Sequence, residues 1–126
     1  MTVNAIFIDA VNRCVRAIKY DPSTPPSRIL GCRAVDVGHV FNNHDVVYVD
    51  DEGLLVDAHF FFKIDEAYSP LAGNAVILGS NLQGETCDVR YTVEQIEKKV
   101  VFLCPLSHLI VAQKEVLKEI DFDLPF

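Results

Sequence analysis

The sequence predicts an α+β fold: a single compact domain built on a largely antiparallel sheet, with two or three short helices. Three observations carry this expectation. Short runs rich in β-branched and aromatic residues recur along the chain, separated by turn residues. One run, "AVILG", is apolar without interruption, as expected of a central strand covered on both faces. Helix signals are confined to short segments between the strand-like runs. With 126 residues, half of them apolar, one domain can bury a core without disulfides or metal.

Taken in order, "VNAIFI" alternates and reads as a first strand, and its Asp9 with no basic leader argues against a signal peptide. "DAVNR" turns the chain into a second strand, "CVRAIKY". The prolines of "DPSTPPS" make a loop, from which Ser27 is expected to cap a short helix reaching Leu30, closed by Gly31. "CRAVDVGHVF" gives a third strand, Asn42-Asn43 a turn with positive φ, and "DVVYV" a fourth strand. Asp50-Asp51-Glu52-Gly53 reads as an exposed tight turn joining strands that contain Val47 and Leu55, so that "LLVDAHFFF" returns beside the fourth.

"SPLAGN" and "SNLQGETCD" read as loops on either side of the central run. Thr92 with Gln95 three residues later forms a capping box for a helix "VEQIEKK", and "VVFLC" is a further strand ended by Pro105. Ser107 then caps a last helix to about Ile120, with Leu109, Ala112, Val116 and Ile120 on one stripe. The domain is thus residues 1–120, followed by an acidic, aromatic tail of residues 121–126.

The net charge of −7 is uneven: residues 1–40 carry +2, residues 41–66 carry −6 and residues 67–126 carry −3. Concentrated negative charge argues against direct nucleic-acid binding. No stretch reaches the ~18 uninterrupted apolar residues of a membrane span. Cys14, Cys32, Cys87 and Cys104 are scattered, with no C-x-x-C, and read as reduced thiols of a cytosolic protein.

Few constellations point to chemistry. Asp50, Asp51 and Glu52 offer hard oxygen ligands, yet three adjacent acids at a turn lack the spacing of a calcium loop. His39, His44 and His59 flank the same turn. His44 and His59 with Asp45 or Asp57 have the makings of a two-histidine, one-carboxylate metal site, or are surface side chains. Ser80 lacks a G-x-S-x-G elbow, and "GNAVILGS" lacks the lysine of a phosphate loop. Cys104 and His108 meet only if they share a helix, which Pro105 opposes. Phe60, Phe61 and Phe62 make either a strand buried on both sides or an aromatic docking patch. No cofactor motif is found.

The pieces "IFIDAVNRCV", "LGC", "YVDDEGLL" and "PLAGNAVILGSNLQGE", in this order, resemble a family of small proteins of unknown function encoded by phages and plasmids. The resemblance covers residues 3–103 and implies a bacterial cytoplasmic setting, with no catalytic residue to carry over. The end, "DFDLPF", resembles the C-terminal tip of bacterial single-stranded-DNA-binding proteins. It implies that Asp121 and Asp123 steer onto a basic ridge, while Leu124, Pro125 and Phe126 enter an apolar pocket. The partner would be a host genome-maintenance enzyme that reads such tips. Alternatively, Leu124 and Phe126 fold back onto the protein's own core.

The resulting expectation is a non-enzymatic protein-interaction module of phage or plasmid origin, contacting a host protein of DNA metabolism or defence. Its contact residues are the tail or Asp50, Asp51 and Glu52. The rival expectations are a small metal-dependent enzyme using His44 and His59, and an acidic decoy that mimics nucleic acid.

Overall fold

The computed structural model describes residues 1–52, 60–67 and 69–103. Within them the fold is α+β, mostly antiparallel sheet with two short helices. No helix among the described residues is long and apolar enough to cross a membrane.

The first hairpin pairs β1 (Val3–Asp9) with β2 (Cys14–Tyr20) over seven residues without a bulge. Helix α1 (Pro26–Leu30) follows. Ser27 does not cap it: the N-cap is Pro25, and Pro26, with φ already fixed, starts the turn without a side-chain cap. Gly31 closes α1 at φ 67, as expected of a left-handed cap.

Strands β3 (Val35–Val40) and β4 (Val46–Asp50) pair antiparallel, with a bulge between Val37 and His39. The positive φ in their connection falls on His44, at 74°, rather than on Asn42 or Asn43. The buried carboxylate of Asp45 fixes this turn by bonding the chain at Arg90 and Tyr91.

The chain turns at Asp51 and Glu52 as expected, and Gly53 and Leu55 lie outside the described residues. The expected hairpin partner of β4 is corrected, however. Both edges of β4 are taken, by β3 and by β7 (Ala75–Ser80). Strand β5 (Phe61–Ile64) belongs to a second sheet, between β6 (Leu71–Ala72) and β9 (Val100–Leu103). Of the phenylalanine run, Phe61 and Phe62 are buried and Phe60 packs against the core, which matches a covered strand.

The large sheet has the order β2-β1-β7-β4-β3, and β7 sits at its centre with Ala75 to Leu78 buried. One face, through Ile6, Ile8, Val47 and Ile77, packs on Phe62 and Ile64 of the small sheet and on Ile96 of helix α2 (Val93–Lys99). The other face, through Ala5, Tyr20, Val76 and Leu78, is covered by Leu30 of α1. Two segments read as loops carry short strands, β6 and β8 (Thr86–Cys87). The capping box at Thr92 and Gln95 is complete, each bonding the other's backbone N–H at 2.9–3.1 Å.

Strand β8 folds back on the end of β7, pairing Gly79 with Cys87. A Cβ on Gly79 would lie 2.1 Å from the carbonyl oxygen of Asp88, a backbone atom that cannot rotate away. Gly79→Ala therefore forces the two strands apart. Chemical denaturation is expected to show a loss of roughly 2–3 kcal/mol, and an unchanged midpoint would refute the close approach.

Candidate functional site

Among the described residues a cleft of about 210 Å³ lies where the two sheets meet. It is lined by Asp36, Val37 and Gly38 of β3, by Val49 and Asp50 of β4 with Asp51, and by Pro70, Leu71 and Ala72 at β6. Antiparallel pairing of Val35 with Asp50 and of Asp36 with Val49 brings these two stretches of chain side by side, with the Asp36 and Asp50 side chains on opposite faces of the sheet. Gly38 leaves room for the other side of the cleft: a Cβ there would lie 2.9 Å from Leu71 Cδ1, and the leucine side chain would have to shift.

The carboxylates of the cleft have local duties. Asp36 Oδ1 accepts the N–H of Val37 at 2.8 Å, and Asp50 Oδ1 accepts the N–H of Glu52 at 2.9 Å. Glu52 takes the Arg33 guanidinium at 2.8 Å. Among the described residues no base pairs with Asp36, Asp50 or Asp51. The nearby Cys32 thiol is pushed up from its usual range by burial first, then by the charges of Asp50, Asp51 and Glu52. It stays a thiol, bonded to the Ala34 carbonyl, and is a poor nucleophile. The cleft therefore combines acidic and apolar lining residues, a chemistry that suits a cationic group with an apolar stem.

Two of the three histidines flanking the acidic turn, His39 and His44, lie among the described residues. His39 on β3 stands edge-on to Phe41, with centroids 4.8 Å apart, and His44 occupies the β3–β4 turn. Asp45 faces inward and serves the backbone. His59, Asp57, Cys104 and His108 lie outside the described residues, as do Asp121, Asp123, Leu124, Pro125 and Phe126. Among the described residues no group of three or more His, Cys, Asp or Glu side chains is placed to hold a metal.

Beside His39, Lys99 Nζ sits 3.1 Å from Glu66 and 5.3 Å from the centre of the Tyr91 ring. The Glu66 hydrogen bond pushes the Lys99 pKa up, so this lysine is held as a cation and is no Schiff-base nucleophile. Sequence reasoning missed Asp36, Gly38 and Leu71 as cleft walls. Their shared feature is a long-range register, and no local pattern encodes it.

A second buried carboxylate, Asp9, closes the β1–β2 turn. It accepts from the Asn12 N–H at 3.0 Å, the Asn12 amide at 2.9 Å and the Arg16 guanidinium at 2.9 Å. Burial alone would raise its pKa. The hydrogen bonds from Asn12 and Arg16 outweigh burial and hold it below the usual value. A lowered folded-state pKa stabilises the fold fully above the unfolded value near ~3.9 and is lost as pH falls through the folded value. Urea unfolding is expected to place Asp9→Asn about 1–3 kcal/mol below the wild type at neutral pH, with the gap closing at pH values below ordinary aspartate titration. A gap that persists in acid would assign the loss to shape rather than charge.

No protein-family model, no curated protein and no solved structure matches this chain, so the site is read from its own residues and geometry.

Proposed function

We propose that this protein is a non-enzymatic interaction module of a phage or plasmid, and that its acidic cleft takes a basic, partly apolar segment of a host protein of DNA metabolism or defence. The observation that carries the reading is the cleft itself: Asp36, Asp50 and Asp51 line it together with Val37, Val49 and Leu71, and none of the three carboxylates has an ion-pair partner among the described residues. A lysine or arginine of the partner supplies that base, and its stem lies on the apolar part of the lining. The resemblance of residues 3–103 supports the mobile-element setting. The tip "DFDLPF" supports a host partner in genome maintenance, with Phe126 as a second anchor.

The decoy reading asks for an array of bare carboxylates. In the most acidic stretch, Asp45 is fully buried, Glu52 is paired with Arg33 and Glu66 with Lys99, while Asp65 is exposed and Asp57 lies outside the described residues, so fewer bare carboxylates are seen there than the charge count suggests. The metal-enzyme reading depends on His59, and metal analysis of the purified protein separates it from the module.

The test is affinity capture from bacterial lysate, followed by titration with the identified partner. Asp36→Asn combined with Asp51→Asn is expected to weaken binding about tenfold at low salt, at ~0.7 kcal/mol for each exposed charge. The difference should shrink as salt rises. Deleting Phe126 is expected to weaken binding independently. Binding that ignores the aspartates at every salt concentration would overturn the cleft as the contact site.

A further inference from the structure

Among the described residues the large sheet ends in β2 on one side and β3 on the other, and the two edges are treated differently. Strand β3 is blunted. Its bulge after Val37 breaks the ladder, and the Asp36 carboxylate occupies the Val37 N–H. These are devices by which proteins prevent strand addition. Strand β2 has neither. It runs seven residues without bulge or proline, paired along its whole length with β1.

The direction of the β2 backbone groups follows from β1. Asn4 gives its N–H to Asp88 and its C=O to the N–H of Val89, both on the side away from β2. Alternation along an antiparallel ladder then points Ala5, Phe7 and Asp9 toward β2, and their partners Ile18, Arg16 and Cys14 toward β1. Val15, Ala17 and Lys19 therefore direct their N–H and C=O groups outward. None of these six groups has a hydrogen-bond partner among the described residues.

Charged side chains usually guard such an edge. Here they are turned back onto β1. Lys19 Nζ donates to Asn4 Oδ1, and Arg16 bonds Asp9 and lies 4.7 Å over the Phe7 ring. What remains at the centre of the edge is Ala17, small and exposed.

We propose that β2 pairs with β2 of a second copy of this chain, antiparallel and centred on Ala17. The three outward residues are symmetric about Ala17, so an antiparallel copy satisfies all six groups reciprocally, as a two-fold interface requires. The register sets Val15 opposite Lys19, Arg16 opposite Ile18, and Ala17 opposite itself. No like charges stand directly opposite; the two Arg16 residues are diagonal neighbours, and each guanidinium is held by Asp9 of its own chain. The two Lys19 side chains are four residues apart along the ladder, roughly 14 Å, beyond the Debye length of about 8 Å at physiological salt. A foreign strand lacks this built-in reciprocity. The pairing lies at the opposite edge from the acidic cleft and does not depend on it.

The test is sedimentation of the full chain from micromolar to high-micromolar concentration, with Ala17→Arg, Ala17→Asp and their equimolar mixture. Ala17 is exposed, so both variants are expected to fold, and circular dichroism checks this. Wild type is expected to dimerise. Each variant, placing like charges across the axis, should weaken the dimer about tenfold or more, and the mixture should restore it. Amide exchange at Val15, Ala17 and Lys19 should slow as wild-type concentration rises. A wild type that stays monomeric overturns the proposal. So does a dimer that both variants retain, or a monomer whose β2 amides are protected only by a foreign strand.

Discussion

The carboxylate of Asp45 is the constraint on which the rest of the molecule depends. It is completely buried, and a bare buried charge costs several kcal/mol. It is tolerated because donors converge on it from far along the chain: the N–H of Arg90 at 3.0 and 3.1 Å, the N–H of Tyr91 at 3.0 Å and the Arg90 guanidinium at 3.5 Å. The turn that presents it is held in return, with Phe41 N–H on the Asp45 carbonyl and His44 at positive φ. Tyr91 is thereby set edge-on against Phe41, one residue before the capping box. Helix α2 can start only there, and β9 follows it without a linker. The position of the small sheet, and with it the Leu71 wall of the cleft, is tied to one carboxylate at the end of the large sheet.

This explains which parts of the fold were legible in the sequence. Signals complete within a few residues read correctly: the Thr92–Gln95 box, the left-handed Gly31, the seven residues of β2 and the buried run of β7. Signals that depend on a distant partner did not. Nothing in "DDEG" records that β4 already has a neighbour on each side, so the hairpin drawn from that turn was the natural local solution and the wrong global one. Asp45 read as an available ligand because the sequence shows its charge and not the backbone N–H groups of Arg90 and Tyr91 that consume it. The cleft was half visible. Asp50, Asp51 and Glu52 stood out as a cluster, while Asp36 joined them only through the β3–β4 register.

Charge is distributed on this frame with a clear polarity. The β1–β2 hairpin carries Arg13, Arg16 and Lys19 against Asp9, and the far edge carries Asp36, Asp50 and Asp51. The two edges are separated by four strand spacings, roughly 19 Å. Screening at physiological salt makes them electrostatically independent at that distance. The basic edge is largely satisfied within the hairpin, through Asp9, Asn4 and the Phe7 ring. Among the described residues the acidic edge has no ion-pair partner for Asp36, Asp50 or Asp51, and a cleft lies beside it. Among the same residues the outward backbone groups of β2 have no partner.

The two requirements are geometrically compatible, and their combination has a consequence neither has alone. Pairing through β2 would extend one large sheet into the other, a path of ten strands, and carry the two clefts to its outer ends. Nine strand spacings put them roughly 43 Å apart before twist is counted. One partner segment cannot bridge that span unless it is long, so each cleft would take its own. Two weak contacts on one rigid body then act together only on a target that repeats, such as an oligomeric enzyme or a protein bound in series along a polymer. For such targets the second contact is intramolecular, and overall avidity exceeds that of a single exposed acidic cleft by orders of magnitude. On the two proposals together, the dimer would select assembled forms of a target over free subunits.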